Sequence, residues 1–156
     1  HKEYRRQRQM CIRDRLSVGA GTFQPVKVEN IVEHDIHKEY LEVSGEVIDM
    51  IEITKSLGKK VFAVGTTSTR ALETAYIDQT KKGFKGYTKL FIYPGYKFKA
   101  VDKLITNFHL PKSSLLMLVS AFIGHKNMKE TYKTAVNEKY RFLSYGDAML
   151  LTRHEI

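Results

Sequence analysis

The chain has 156 residues and a mass of 18.0 kDa, enough for one domain with a buried core, which excludes a peptide or a linker. Apolar residues make up 42% and charged residues 28%, a balance typical of soluble globular proteins and not of disordered or fibrous ones. The net charge of +9 favours a polyanionic partner, either a nucleic acid or a phosphate-bearing ligand.

Cysteine content and hydropathy narrow the class of protein further. The single cysteine excludes a disulfide framework or a multi-cysteine metal cluster within this chain, and it favours a reducing, cytoplasmic setting. The longest apolar run, from Leu115 to Ile123, is too short to cross a bilayer and predicts a buried helix. We therefore expect no membrane association.

The first 17 residues have the composition of a segment that does not belong to the natural protein. The first fifteen contain six basic and two acidic side chains and the only cysteine, without helical or strand periodicity. A nucleic-acid-binding arm is the alternative interpretation. The abrupt start of patterned sequence favours a scar from expression or sequencing. We expect residues 1–17 to be non-native and residues 18–156 to form the folded part.

Strand and helix patterns alternate along the rest of the chain. Apolar spacing from Ser44 to Leu57 predicts a helix that ends at Gly58. We expect Gly83 and Gly86 to break the chain before a strand, and Pro94 with Gly95 to form a turn. The other expected elements are strands at 60–64, 89–93, 104–108 and 148–151, and helices at 71–76, 115–123 and 128–140. This alternation implies an α/β fold, with a mostly parallel sheet and helices packed on it.

Two polar loops follow predicted strands. In a parallel sheet, the loops at the carboxyl ends of strands form a ligand crevice beside the amino termini of helices. The first loop runs from Gly65 to Arg70 and the second from Thr106 to Ser114. Their glycine, hydroxyl, amide and basic groups suit an anionic or polyhydroxylated ligand. The alternative is that Ser68 and either serine of the second loop are helix caps, with Arg70 in a surface ion pair.

Histidines supply the other candidate chemistry. His109 follows a predicted strand, where it is either a hydrogen-bonded structural residue or an acid-base group. His34 and His37 are three residues apart, but no third ligand is evident, so we assign no metal. The Gly19–Val26 run has two closely spaced glycines but does not open a helix, so it is not a dinucleotide-binding site.

Charge is distributed unevenly. Residues 29–52 contain eight acids and one lysine, whereas residues 81–103 contain seven lysines and one acid, interleaved with aromatic residues. Lysines neutralise phosphates and exposed aromatic rings stack on unpaired bases, so this segment is a candidate RNA contact. The alternative is that the aromatic rings face the core. The expected RNA-binding residues are Lys81, Lys82, Lys85, Lys89, Lys97 and Lys99.

Five runs, taken in order, resemble the bacterial S-adenosylmethionine:tRNA ribosyltransferase-isomerases of queuosine biosynthesis. They are GAGTFQPV, EHDIHKEY, VFAVGTTSTRALE, FIYPGYKFKAVDKLITNFHLPKSSLLMLVSAF and YRFLSYGDAMLL, and they span about Val18 to Leu151. The resemblance covers the carboxyl-terminal half of such an enzyme. It implies a fragment of a larger multidomain protein that also has a β-barrel domain and further α/β structure.

The resemblance implies an activity and its participants. Such an enzyme moves and isomerises the ribosyl group of S-adenosylmethionine onto 7-aminomethyl-7-deazaguanine at the tRNA wobble position. The products are epoxyqueuosine, adenine and methionine. We expect S-adenosylmethionine as co-substrate, no metal, tRNA as partner, and a cytoplasmic monomer. An isolated half is expected to bind without turnover. The alternative is a non-catalytic basic module that binds RNA or nucleotides.

The resemblance also gives weight to particular residues. It implies proton transfer by His109 or His37, with Asp147 as a further catalytic candidate, and helix starts that hold the carboxylate or ribose hydroxyls. The implied substrate-binding residues are Gly65, Thr66, Thr67, Ser68, Arg70, Asn107, Lys112, Ser113, Tyr145 and Gly146. Ser17 departs from the family pattern, which has histidine there, so a site residue is expected to be replaced.

Overall fold

The computed structural model describes residues 15–16, 36, 38–77 and 83–154 of the chain. The strands are β1 (Arg15–Leu16), β2 (Glu39–Ser44), β3 (Phe62–Val64), β4 (Gly83–Thr88), β5 (Lys103–Asn107) and β6 (Ala148–Thr152). The helices are α1 (Gly45–Ser56), α2 (Thr66–Ile77), α3 (Ser114–Ile123) and α4 (His125–Asn137). The division at residue 17 stays a prediction, because most of that segment lies outside the described residues.

The described strands form two three-stranded sheets, in the orders β1-β2-β4 and β3-β5-β6. Of the four pairings, only β3 with β5 is parallel. The α/β class is confirmed, but the mostly parallel sheet is wrong for this part of the chain. Two helices, α3 and α4, separate β5 from β6, so the chain returns in the opposite direction and β6 pairs antiparallel.

The first sheet contains the largest departure from the sequence-based expectation. The strand predicted at 89–93 is irregular backbone, and Gly83 and Gly86, expected to break the chain, lie within β4. β4 pairs with β2 over their full lengths, from Glu39 opposite Thr88 to Ser44 opposite Gly83. A Cβ on Gly83 would lie 2.4 Å from the Val43 carbonyl oxygen, so this close crossing of β2 requires glycine.

The helices agree with their patterns. The helix predicted at Ser44–Leu57 is observed as α1, and the apolar run at 115–123 forms α3, which is buried on most sides. Gly124, with φ of +84°, separates α3 from α4. A glycine tolerates this left-handed conformation, so the chain turns sharply between two helices.

Helix α2 lies between the two sheets. Ala71 and Ala75 pack with Leu41 and Val43 of β2 in a small core, whereas Tyr76 packs against the larger core. The larger core covers one face of the β3-β5-β6 sheet, where Ala63, Leu104, Met149 and Leu151 meet Leu118, Val119 and Phe122 of α3. Because α2 begins directly after β3 and packs on both sides, its first turn is fixed at the edge of this sheet.

Candidate functional site

Three polar segments meet at one edge of the β3-β5-β6 sheet. Since β3 and β5 are parallel, the chain leaves both strands at this edge, after Val64 and after Asn107. Since β6 is antiparallel, it begins at the same edge, where Ala148 pairs with Asn107. The β3–α2 junction, the β5–α3 loop and the α4–β6 loop therefore converge, as expected for the first two from the sequence.

The β3–α2 junction turns sharply at Gly65. Its φ of +91° is readily adopted only by glycine, and its N–H donates to the Ile105 carbonyl oxygen at 2.8 Å. The Gly65 carbonyl oxygen accepts from the N–H and from the hydroxyl of Thr69, each at 3.1 Å. Thr67 and Ser68 are half-buried and Thr66 is buried. Ser68 lies inside α2, so it does not cap the helix.

The β5–α3 loop ends in a helix cap. Ser113 precedes α3, and its hydroxyl accepts from the Leu116 N–H at 3.1 Å and donates to the Leu110 carbonyl oxygen at 2.8 Å. This confirms the capping interpretation for Ser113. Lys112, just before the cap, is exposed and has φ of +57°. This conformation is uncommon for a residue with a Cβ, so Lys112 marks a constrained turn at the site.

Asn107 ties the β5–α3 loop to the α4–β6 loop. Its Nδ2 donates to the carbonyl oxygen of Asp147 at 3.3 Å and lies 3.5 Å from that of Gly146. One residue further along, the Phe108 carbonyl oxygen accepts from the Leu143 N–H at 2.9 Å. Asn107, a predicted ligand-binding residue, thus holds two of the three segments together.

The α4–β6 loop is closed by its own hydrogen bonds. The Asp147 carboxylate accepts from the Arg141 N–H at 2.8 Å and lies 3.1 Å from the Arg141 guanidinium, which lowers the Asp147 pKa from its usual value. A Cβ on Gly146 would lie 2.3 Å from the Arg141 carbonyl oxygen, so this turn also requires glycine. Tyr145 is 99% exposed. Asp147 is therefore an ionised, bridged carboxylate at a turn, beside a fully accessible phenol.

His109 is buried behind the edge. Its Nε2 lies 2.9 Å from the Thr106 hydroxyl, and its backbone N–H donates to the Tyr132 hydroxyl at 3.0 Å. Burial lowers the pKa of the His109 imidazole to about 4, so the ring is neutral near pH 7. A group with so low a pKa is a weak proton acceptor at neutral pH, whereas a neutral imidazole is a good hydrogen-bond partner.

Arg70 lies in the interior instead of in a surface ion pair. Its guanidinium binds the carboxylate of Glu39, and its Nε donates to the Leu90 carbonyl oxygen at 3.1 Å. The two side chains are only 6% and 3% exposed. Burial lowers the pKa of Arg70, and Glu39 opposes that effect. Arg70 therefore ties α2 to the start of β2, which is the segment that follows His37 in sequence.

Glu73 is a buried carboxylate that the sequence reasoning missed. It accepts hydrogen bonds from the backbone N–H groups of Lys99, Ala100 and Val101, at 2.9 to 3.0 Å, and from the Tyr96 hydroxyl at 3.1 Å. Burial raises the pKa of the Tyr96 hydroxyl above its usual value, and the charge of Glu73 raises it further. In the sequence, Glu73 is only an acid on the apolar side of a helix. Periodicity alone does not distinguish a buried acid at such a position from an exposed one.

Two of the predicted RNA-binding lysines, Lys97 and Lys99, lie away from the site edge. Lys97 and Lys99 are exposed in the loop that enters the amino end of β5, whereas the site lies at its carboxyl end, about 13 Å away along the strand. The Lys85 Nζ lies 3.5 Å from Glu42 Oε1 in an exposed ion pair, and Lys89 is exposed. The rings of Tyr96 and Phe98 pack against the core. Lys81, Lys82 and His37 lie outside the described residues.

The residues that the structure describes contain neither a candidate metal-ligand cluster nor a candidate membrane-spanning helix. No group of three histidine, cysteine or acidic residues in residues 38–77 and 83–154 is arranged to hold a metal ion. None of the helices that the structure describes is long and apolar enough to span a membrane.

The chain matches one protein family and two relatives that share the same enzyme name. Residues 6–151 match a family described as "Queuosine biosynthesis protein". The chain is 58% identical over 137 residues to the S-adenosylmethionine:tRNA ribosyltransferase-isomerase of Halothermothrix orenii, a match covering 87% of this chain and 40% of the relative. It is 59% identical over 139 residues to the enzyme of the same name from Ralstonia pickettii, covering 88% and 39%.

A solved structure agrees with these relatives. The fold is similar to the crystal structure of S-adenosylmethionine tRNA ribosyltransferase from Thermotoga maritima, with a TM-score of 0.66 and 48% identity. That match covers 72% of this chain and 40% of the crystal structure. The chain thus spans about 40% of the length of the relatives it matches. On these grounds, the chain belongs to the queuosine biosynthesis protein family.

Proposed function

We propose that the full-length protein containing this chain transfers and isomerises the ribosyl group of S-adenosylmethionine onto 7-aminomethyl-7-deazaguanine at the tRNA wobble position. The products are epoxyqueuosine in tRNA, adenine and methionine. The relatives, at 58% and 59% identity, carry this enzyme's name, which supports the proposal. The remainder of the protein, with a β-barrel domain, would complete the pocket, and we propose a cytoplasmic monomer.

One observation carries the proposal for this chain: the convergence of three polar segments at a single sheet edge. A reaction that expels adenine and methionine needs a site for a carboxylate and donors to the leaving group. The start of α2 supplies backbone N–H groups that have no partner within the helix, together with the hydroxyls of Thr66, Thr67 and Ser68. The start of α3 supplies a second amino terminus beside Lys112. Both favour a negatively charged group.

We assign separate roles to the polar side chains at this edge. The two helix starts bind the methionine carboxylate or ribose hydroxyls of S-adenosylmethionine. Neutral His109 orients substrate through hydrogen bonding, and proton transfer falls to His37. Asn107 and Gly146 hold the α4–β6 loop in place, so that Tyr145 is presented to the acceptor nucleoside.

The lysine-rich segment is proposed to contact tRNA away from the reacting base. Lys97 and Lys99 lie at the opposite end of β5 from the site edge. Because phosphate contacts position a nucleic acid without reading its sequence, lysines at this distance suit the sugar-phosphate backbone of the tRNA. Packing of Tyr96 and Phe98 against the core argues against base stacking by these two rings.

The test is adenine release from S-adenosylmethionine in the presence of substrate tRNA, with the missing part of the enzyme restored. We expect release that requires the tRNA, and a loss of at least tenfold on Asn107→Ala, because the α4–β6 loop is freed. The matched control, Asn137→Ala at the end of α4, should keep normal turnover. Binding of tRNA with no adenine release would favour the non-catalytic RNA-binding module instead.

A further inference from the structure

Among the residues that the structure describes, the β3-β5-β6 sheet is covered on one face only. Along β3, Ala63 is buried, whereas its neighbours Phe62 and Val64 are 54% and 68% exposed. Along β6, Met149 and Leu151 are buried and Leu150 is 63% exposed. Successive side chains of a strand point to opposite faces. The exposed residues therefore belong to one outer face, opposite the face that packs on α3.

The register joins the exposed residues of β3 and β6 through Ile105 of β5, which is half-buried. Val64 pairs with Ile105, and Ile105 pairs with Leu150, so these three side chains form an apolar row across all three strands. Phe62 lies on the same face, two residues from Val64. Strands are about 4.8 Å apart, so neighbours in the row are in contact distance.

Polar residues border this row on both sides. On one side lies the row in which Phe62 pairs with Lys103 and Lys103 pairs with Thr152. The two polar members of that row are in contact, since the Lys103 Nζ lies 2.6 Å from the Thr152 hydroxyl oxygen. On the other side lies Asn107, which belongs to the site edge. A contiguous apolar patch with a polar rim is typical of a surface that another protein segment covers.

We propose that this outer face is the docking surface for the part of a full-length family member that this chain does not span, and that a helix with an apolar side covers it. The chain spans only 40% and 39% of two full-length relatives, so most of such a protein is available to supply the helix. The face adjoins Asn107, so the docked segment also borders the site edge. This inference rests on family membership and not on the proposed reaction.

Thiol labelling tests the proposal without measuring turnover. The variant Leu150→Cys is made in this chain on a Cys11→Ser background. The aligned residue is also changed to cysteine in the full-length relative from Halothermothrix orenii, after its other reactive thiols have been removed. Val136, on α4 and also 63% exposed, provides the matched control position. Val64→Cys is the second test variant, in case Leu150→Cys does not fold. Maleimide labelling rates are measured over a range of protein concentrations.

We expect the thiol at position 150 to react as fast as the control in this chain at every concentration, and at least tenfold slower than the control in the full-length relative. Equal rates at both positions in the relative would overturn the proposal. Protection in this chain that grows with concentration would assign the face to a second copy. Protection at every concentration would assign it to another segment of this same chain, which also overturns the proposal.

Discussion

At the scale of single residues, burial decides which polar groups can carry charge. His109 packs behind the site edge, where its pKa is lowered from 6.5 to about 4. Between these two pH values, the His109 imidazole is therefore protonated in the unfolded chain and neutral in the folded chain. The contribution of His109 to stability is complete above pH 6.5, and it is lost as the pH falls toward 4.

We expect His109→Gln to flatten this dependence, because the variant has no imidazole to protonate. Between neutral pH and about pH 4, the free energy of unfolding decreases in both proteins. We expect the decrease in His109→Gln to be about 3 kcal/mol smaller than the decrease in the parent chain. Urea unfolding at several pH values measures this difference. His154→Gln, which changes an exposed histidine, serves as control. An unchanged pH slope in His109→Gln would show that His109 is not buried in its neutral form.

Two glycines provide a matched test of the α4–β6 loop. A Cβ at Gly146 would come within 2.6 Å of two carbonyl oxygens, whereas one at Gly86 would meet only the Phe84 ring at 3.6 Å. We expect Gly146→Ala to lower the free energy of unfolding by about 2 kcal/mol or more, and Gly86→Ala to change it by less than about 0.5 kcal/mol. Urea titration compares them. Equal effects would mean that the tight turn is not formed.

At the scale of elements, a few buried polar anchors hold the loops in place. Helix α2 carries two of them, since Arg70 reaches the start of β2 and Glu73 holds residues 96–101. The first turn of this same helix lies at the site edge. Movement of α2 would therefore disturb the β2 segment, the lysine-bearing loop and the site together.

Removal of the Glu73 carboxylate should expose this dependence. Glu73→Ala leaves three backbone N–H groups and the Tyr96 hydroxyl without their acceptor. We expect a loss of about 3 kcal/mol or more in the free energy of unfolding. Glu130→Ala, at an exposed position on α4, should change it by less than about 0.5 kcal/mol. Similar losses in the two variants would rule out the anchoring role.

The elements also show where sequence reasoning succeeds. Helices α1 and α3 follow from apolar periodicity, and the convergence of the Gly65 and Asn107 segments follows from strand-loop-helix order. The β2–β4 pairing does not follow from the sequence, because it joins residues from 39 (Ser44 with Gly83) to 49 (Glu39 with Thr88) positions apart, and Gly83 resembles a chain break. The partners of Arg70 and Glu73 were equally hidden, since a sequence pattern does not reveal burial of a charged group by distant residues.

At the scale of the whole molecule, the asymmetry of charge matters more than the total of +9. The structure adds a geometric asymmetry, with the polar site at one end of β5 and the loop of Lys97 and Lys99 at the other. Between them, Phe62, Val64 and Leu150 are exposed on the outer face of the β3-β5-β6 sheet. A full-length enzyme that covers this face would leave the site edge and the lysine loop at opposite ends of the same sheet.

We propose that the three segments at the sheet edge form one binding site for S-adenosylmethionine. Titration of S-adenosylmethionine into the isotope-labelled chain, followed through the backbone amide resonances, tests this proposal. We expect the resonances of residues 65–68, 107–110, 112–113 and 145–147 to shift and to saturate together with one dissociation constant, while those of 97–101 stay unchanged. Shifts confined to one segment, or centred on the lysine loop, would contradict it.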